Sequence, residues 1–168
     1  MSFSLRQLDK TQLLHALRHQ VEAALETLLS QQRDSQKAAT HEENRSEHSK
    51  DTRATEQSYL ARGLATRVAD LRRTALQLTG PVARIFQPRE AVAAMALVAI
   101  RIEEEGKPQI WWLVPTAGGF NLTESGLLIR TLTLSTPLGR ALLGLQVGDD
   151  ETFTTPRGQR SFKLLEVA

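Results

Sequence analysis

The chain contains no cysteine, which excludes disulfides, thiolate metal sites and a cysteine nucleophile. It has no long apolar run. The longest, Val92 to Ile100, falls far short of a membrane span. The N-terminus, MSFSLRQLDK, lacks the apolar core of a signal peptide. These absences predict a soluble, cytoplasmic protein with no membrane partner. Neither sign of charge dominates, with 21 basic and 19 acidic residues and a formal net charge of +2. Residues 1–80 carry 12 basic and 10 acidic side chains, and residues 81–168 carry 9 of each. No basic block is present, so charge gives little support for direct DNA or RNA binding. Histidine is missing from residues 81–168 altogether. Ser135 and Thr136 therefore have no imidazole nearby in sequence, and a Ser-His-Asp hydrolase is excluded there.

Another absence is local. Residues 30–58 contain no Val, Ile, Leu, Met or Phe, and no Gly or Pro either. Such a stretch is either a disordered polar linker or a pair of solvated helices. Its Gln, Lys, Arg, Glu and Ala content favours helix. On either side, apolar residues recur at three- and four-residue spacing. Leu14 pairs with Leu78, Leu17 with Ala75, Val21 with Leu71, Ala24 with Val68, Leu28 with Leu64 and Gln31 with Ala61, each pair equidistant from residue 46. Two antiparallel helices of one hairpin require this mirror symmetry, with the tip near Ser46. Ala38, Ala39 and Ala54 permit close approach there. At about 40 residues per helix, the arm would be on the order of 60 Å long. It would present Glu42, Glu43, Glu47 and Asp51 at its end. Glu43–Glu47 and Glu47–Asp51 are like-charge i,i+4 pairs, which a purely structural helix avoids.

Gly80-Pro81 ends the helical half, since Gly suits a helix C-terminus and Pro prevents continuation. The expected domains are thus 1–80 and 81–168, and the fold class is α+β. The second half reads as an antiparallel sheet with one short helix. Strands are expected at Val92–Ile102, Gln109–Val114, Leu127–Leu134, Glu151–Thr155 and Gln159–Val167, with a turn at 103–106. Thr136 caps a helix at Leu138–Leu143, with Pro137 at its first position and Gly144 closing it. Trp111 and Trp112 are adjacent on a strand and must point to opposite faces, one into the core and the other toward the hairpin base or a partner. Gly118-Gly119 is a turn, because no helix with Lys-Ser/Thr follows it as a phosphate loop would need. Asp149 and Asp150 shape another turn. His15 and His19 lack the intervening Glu of a zinc-protease pattern and read as solvent-facing.

The run Thr136-Pro137-Leu138-Gly139-Arg140-Ala141-Leu142-Leu143-Gly144, then Val147-Gly148-Asp149, Thr155-Pro156-Arg157-Gly158 and Phe162-Lys163-Leu164-Leu165-Glu166-Val167, resembles the C-terminal domain of Gre-type transcription elongation factors. That family places a coiled-coil hairpin before an FKBP-like sheet-and-helix domain. The resemblance implies bacterial RNA polymerase as partner. The globular domain would dock at the rim of the secondary channel, through residues such as Thr136, Pro137, Leu138, Gly139 and Arg140. The coiled coil would enter the channel.

Gre-type factors carry Asp-Leu-Ser-Glu-Asn at the tip, whose acids help hold the second Mg²⁺ of the polymerase during cleavage of backtracked RNA. Mg²⁺ needs only one or two carboxylates besides substrate phosphate and water. Arg67-Val68-Ala69-Asp70-Leu71 resembles the family's Arg-Ile-Ala-Glu-Leu. Aligning on it sets Glu47-His48-Ser49-Lys50-Asp51 on the tip motif. Glu47 takes the Asp position, Ser49 is retained, Lys50 replaces Glu and Asp51 replaces Asn. Asp51-Thr52-Arg53 with Glu56 and Tyr59-Leu60 resembles a subset of Gre-related proteins with a different tip. The resemblance thus assigns Glu47 and Asp51 to the shared Mg²⁺, in the complex only. Glu42, Glu43, His48, Ser49, Lys50 and Arg53 are candidate contacts around them, close to the RNA 3′ end.

On this reading the protein is a monomer that binds no cofactor alone and is not itself an enzyme. Three alternatives stand beside cleavage stimulation. One is a channel-bound inhibitor, since Lys50 opposes metal binding by charge. Another is a coiled-coil adaptor or dimerisation module, which the mirror about residue 46 argues against. The third, a peptidyl-prolyl isomerase, follows from the fold alone and lacks support from a chain with 5% aromatics.

Overall fold

The computed structural model describes residues 4–42, 50–103 and 105–168, with side chains described outside 39–42 and 50–54. Contacts divide the chain into two compact units, residues 18–79 and residues 1–17 together with 80–168. The sheet-bearing unit thus joins the first 17 residues to residues 80–168.

Helix α1 spans Lys10–Glu42, most of it in the helical unit, and helix α2 spans Lys50–Gln77. Helix thus runs through most of the stretch that lacks large apolar residues, as its composition predicts. The mirrored stripe is buried only in part. Val21, Val68 and Leu78 are buried, Ala24, Leu28, Leu64 and Leu71 are half-buried, and Gln31 and Ala61 are exposed. Arg18 Nε donates to the Leu78 carbonyl at 2.8 Å, satisfying one of the orphan acceptors of the helix end. The ion pairs Arg33–Glu26 and Arg73–Asp70 are exposed, so each contributes at most about 1 kcal/mol.

The other unit is a six-stranded sheet with one short helix. The strands are β1 (Leu97–Ile102), β2 (Pro108–Val114), β3 (Asn121–Glu124), β4 (Leu127–Thr133), β5 (Asp150–Thr155) and β6 (Gly158–Val167), and helix α3 is Pro137–Leu142. The spatial order is β3-β4-β2-β1-β6-β5. Four pairings are antiparallel, and β2 pairs with β4 in parallel. The sequence reading expected antiparallel pairing throughout because it passed over β3. That strand has four residues and a single buried apolar side chain, Leu122. Its tight turn at Ser125 and Gly126, both at positive φ, reverses the chain, so β4 runs beside β2 in the same direction.

The first strand also begins later than Val92. Residues 94 and 95 turn, with Met95 at φ 71°, and the Met95 N–H reaches the Leu113 carbonyl at 2.7 Å. The Ala/Val run there has strand composition but serves as a buried corner. One face of the sheet packs Val98, Ile100, Ile102, Leu113, Leu132, Phe162 and Leu164 with Phe86, Leu138 and Leu142. Leu97 and Trp112, register partners, are buried on the opposite face.

Lys10 is buried and donates to three backbone carbonyls, Arg84 at 2.5 Å, Met95 at 3.1 Å and Ala168 at 2.6 Å, with its ammonium 4.7 Å from the Phe86 ring centre. It ties the start of α1 to the linker, the corner and the end of β6. Burial, followed by the nearby Arg84 guanidinium, lowers its pKa to about 8. Among the described residues no helix is long and apolar enough to cross a membrane.

Candidate functional site

Two places were singled out from sequence, the arm tip and the capped helix. At the tip, Glu42 is the last residue of α1, and Lys50, Asp51 and Arg53 occupy the first turn of α2. Glu43, Glu47, His48 and Ser49 lie outside the described residues. Among the described residues no cluster of three or more His, Asp or Glu side chains could hold a metal ion. The mid-arm carries Tyr59 and Leu60, both exposed, beside a groove lined by Gln32, Gln36, Leu64 and Arg67.

At the capped helix, Thr136 accepts a hydrogen bond from the Gly139 N–H at 3.0 Å and donates to the Thr133 carbonyl at 2.8 Å. Both bonds fix the start of α3 against the end of β4. Pro137 occupies the first turn, as the sequence predicts. Gly139 is needed for the close approach: a Cβ there would sit 2.2 Å from the Thr133 carbonyl oxygen. The five residues therefore divide. Leu138 and Gly139 are buried, Thr136 is half-buried, and Pro137 and Arg140 are exposed. Arg140 Nη1 donates to the Ser135 carbonyl at 2.5 Å.

Thr136, Pro137 and Leu138 line a cleft of about 730 Å³ on the core face of the sheet. Trp111, Leu132 and Phe153 supply more of its apolar wall, and Pro156 lies on the β5–β6 hairpin. Phe153 meets Phe162 edge-on at 5.8 Å, which holds the hairpin over the core. The polar wall is Gln109, Arg130, Glu105 and Arg160. Arg160 pairs with Glu105 at 2.9 Å. Arg130 lies directly opposite Trp111 in the parallel register, with its guanidinium carbon 5.5 Å from the indole centre. Both donate to Gln109 Oε1, Trp111 Nε1–H at 3.2 Å and Arg130 Nη1 at 3.0 Å.

The two tryptophans do take opposite faces, with Trp112 in the core and Trp111 half-exposed on the cleft. Sequence reading missed Gln109, Arg130, Arg160 and Glu105. Their signal is register: the parallel β2–β4 pair sets Arg130 opposite Trp111, and the antiparallel β5–β6 pair sets Arg160 opposite Phe153.

The C-terminal segment matches a family model. Residues 123–168 match the model described as "Transcription elongation factor, GreA/GreB, C-term". The match covers the end of the chain alone. The matched segment includes β4, α3, β5 and β6, and hence Thr136–Arg140 and much of the cleft wall. Among solved structures, Gfh1 of Thermus aquaticus is similar at 18% identity, covering 89% of this chain and 92% of that one, with a TM-score of 0.39. GreA factor homolog 1 (Gfh1) of Thermus thermophilus is similar at 19% identity, covering 90% and 94%, with a TM-score of 0.37. The GreA/GreB elongation factor of Nitrosomonas europaea is similar at 22% identity, covering 68% and 93%, with a TM-score of 0.37. No match is found among curated proteins.

Proposed function

We propose that the protein is a regulator of transcription elongation that binds bacterial RNA polymerase as a monomer. The observation that carries this reading is the GreA/GreB-type segment at residues 123–168 in a chain that also forms a long two-helix hairpin. In this reading the cleft beside α3 docks on the polymerase surface, and the hairpin enters the secondary channel. The protein has no chemistry of its own to perform. Glu47 and Asp51 are the carboxylates offered to the polymerase's Mg²⁺, near the RNA 3′ end, and the polymerase cleaves the backtracked transcript. Glu42, Glu43, His48, Ser49 and Arg53 surround them in sequence.

Lys50 favours a second reading. It begins α2, immediately before Asp51, where the resemblance has an acid. An ammonium beside a metal-directed carboxylate weakens the attraction to Mg²⁺. A channel-bound factor with that tip would block the channel without stimulating cleavage.

A transcript-cleavage assay on stalled elongation complexes tests both. Cleavage that rises with the protein and is lost in the Glu47→Ala, Asp51→Ala double variant supports the first reading. Polymerase binding with slowed elongation and no cleavage supports the second. Absence of polymerase binding overturns both.

A further inference from the structure

The arm carries a helix face that its own seam does not use. On α2 the seam runs through Leu64, Val68 and Leu71, which are buried or half-buried. One position earlier, about 100° around the helix, lies a second stripe of Glu56, Leu60, Gly63 and Arg67, all exposed. Their alternating four- and three-residue spacing sets them on one face. Leu60 and its neighbour Tyr59 stand in solvent there, at the edge of a groove of about 760 Å³ that Gln32 and Gln36 of α1 help to line. Gly63 has no purpose inside the chain. It sits in the interior of a helix, where only proline is a poorer choice. A Cβ there would meet nothing within 4 Å, and its φ is not positive. A glycine so placed leaves room for another molecule to come close to the backbone. Glu56 and Arg67 are unused in the same sense, since neither has an ion-pair partner among the described residues.

The stripe is complementary to itself. In one direction it reads acid, large, small, base, and in the other base, small, large, acid. A two-fold interface needs this property, because the same patch serves both subunits and every contact occurs twice. We infer that this face of the arm takes a second copy of the chain, antiparallel, with Leu60 of each copy seated over Gly63 of the other. That crossing also brings Glu56 opposite Arg67 and Tyr59 opposite Leu64, each pair equidistant from the point between residues 61 and 62. The two seams stay paired within their own chains. The groove's glutamines carry donors and an acceptor alike, so the glutamines of a second copy satisfy them. A nucleic acid does not suit the stripe, which offers as much acid as base. The contact belongs to the free chain and does not depend on the polymerase reading. Where that reading holds, the pair must separate before one arm enters a channel, and self-association holds the free factor back.

Sedimentation equilibrium of the full chain over a range of concentrations tests the contact. The intact chain is compared with Leu60→Ala, Gly63→Ala, Glu56→Arg, Arg67→Glu and the Glu56→Arg, Arg67→Glu double variant, each checked for retained helix content. The intact chain is expected to pass from monomer to dimer as concentration rises. Leu60→Ala should raise the dimer dissociation constant by about tenfold or more. Gly63→Ala should weaken the dimer too, while raising the unfolding temperature of the dilute monomer, because alanine is the better helix former. A variant that folds better and associates worse excludes misfolding as the cause. Either charge reversal sets like charges opposite each other and should weaken the dimer by about tenfold, and the double variant should restore it. An intact chain that stays monomeric to its solubility limit overturns the inference. A dimer that Leu60→Ala and Gly63→Ala leave unchanged also overturns it, since the contact then lies elsewhere. A double variant as weak as the single reversals overturns the antiparallel pairing.

Discussion

The arm and the sheet unit use apolar residues in opposite ways. In β1 five of six residues are buried, and the strand lies between two others in the middle of the sheet. In the arm, burial declines along the mirrored stripe from Val21 and Val68 to the exposed Gln31 and Ala61. The sheet is held by a core that many elements share. The arm is held by a narrow seam and by the helix propensity of its Gln, Glu, Lys, Arg and Ala residues. A seam of that kind keeps two helices together without demanding a large core. It leaves the outer turns free to be polar.

Removing a large side chain from the shared core should give the largest effect. Trp112 is fully buried, and its indole N–H reaches the Met95 carbonyl at 3.3 Å. Trp112→Ala is expected to destabilise the sheet unit by about 3–5 kcal/mol in urea unfolding. Phe162→Ala, also in the core and against Phe153, belongs in the same range. A loss below about 1 kcal/mol for either would mean that the core collapses around the gap far better than its packing suggests.

Gly139→Ala comes next. The new methyl would meet the Thr133 carbonyl oxygen and the Thr136 hydroxyl, and neither can retreat without breaking the cap of α3. Overpacking of this kind costs about 1–3 kcal/mol. The same displacement would move Pro137 and Leu138 and deform the cleft, so the proposed polymerase binding should weaken together with thermal stability. A Pro137→Ala variant should leave stability nearly unchanged, because this exposed ring contributes only its fixed φ to the first turn.

The sheet unit and the arm also differ in what their sequence discloses. The arm is legible because a helical seam is a local, periodic object, and its mirror about residue 46 needs no knowledge of anything else in the fold. The cap at Thr136 is legible for the same reason, since Thr-Pro followed three residues later by Gly is a local signal. The Trp111–Arg130 stack is not. Trp111 and Arg130 are 19 positions apart, and they meet because a four-residue strand reverses the chain between them. One buried leucine is too little pattern to announce that strand. Met95 misleads in the other direction, since an apolar residue in a buried corner has the composition of a strand and the backbone of a turn.

Lys10 offers a third comparison, by pH. Its folded pKa of about 8 lies below the ordinary value of 10.5. Between those values the unfolded chain holds a proton that the folded chain has released. Stability should therefore rise as pH increases through that window, since deprotonation favours the state with the lower pKa. Arg84, Glu90 and Arg6 are the charged groups around it, and Glu90 alone opposes the shift. Thermal unfolding of the intact chain and of Lys10→Met, followed from pH 7 to pH 11, isolates the effect. The difference between the two curves should slope upward for the intact chain. A flat difference would mean that the three acceptor carbonyls hold the proton as firmly as water does.

The smallest effects should come from the arm's outer turns, and there the comparison becomes sharpest. Leu60 is a large apolar residue with 74% of its surface exposed, whereas Val68, two turns further along α2, is buried. Val68→Ala removes two methyls from the seam and should cost about 1–2 kcal/mol by the buried-methylene scale. Leu60→Ala removes more atoms but buries nothing less, and alanine is the better helix former, so its effect should stay within about 0.5 kcal/mol. Helix content on thermal unfolding reads both. Equal losses would mean that the stripe drawn from sequence does not follow the seam. A destabilised Val68→Ala beside an unchanged Leu60→Ala would leave Leu60 and its neighbour Tyr59 exposed for reasons other than the stability of the hairpin.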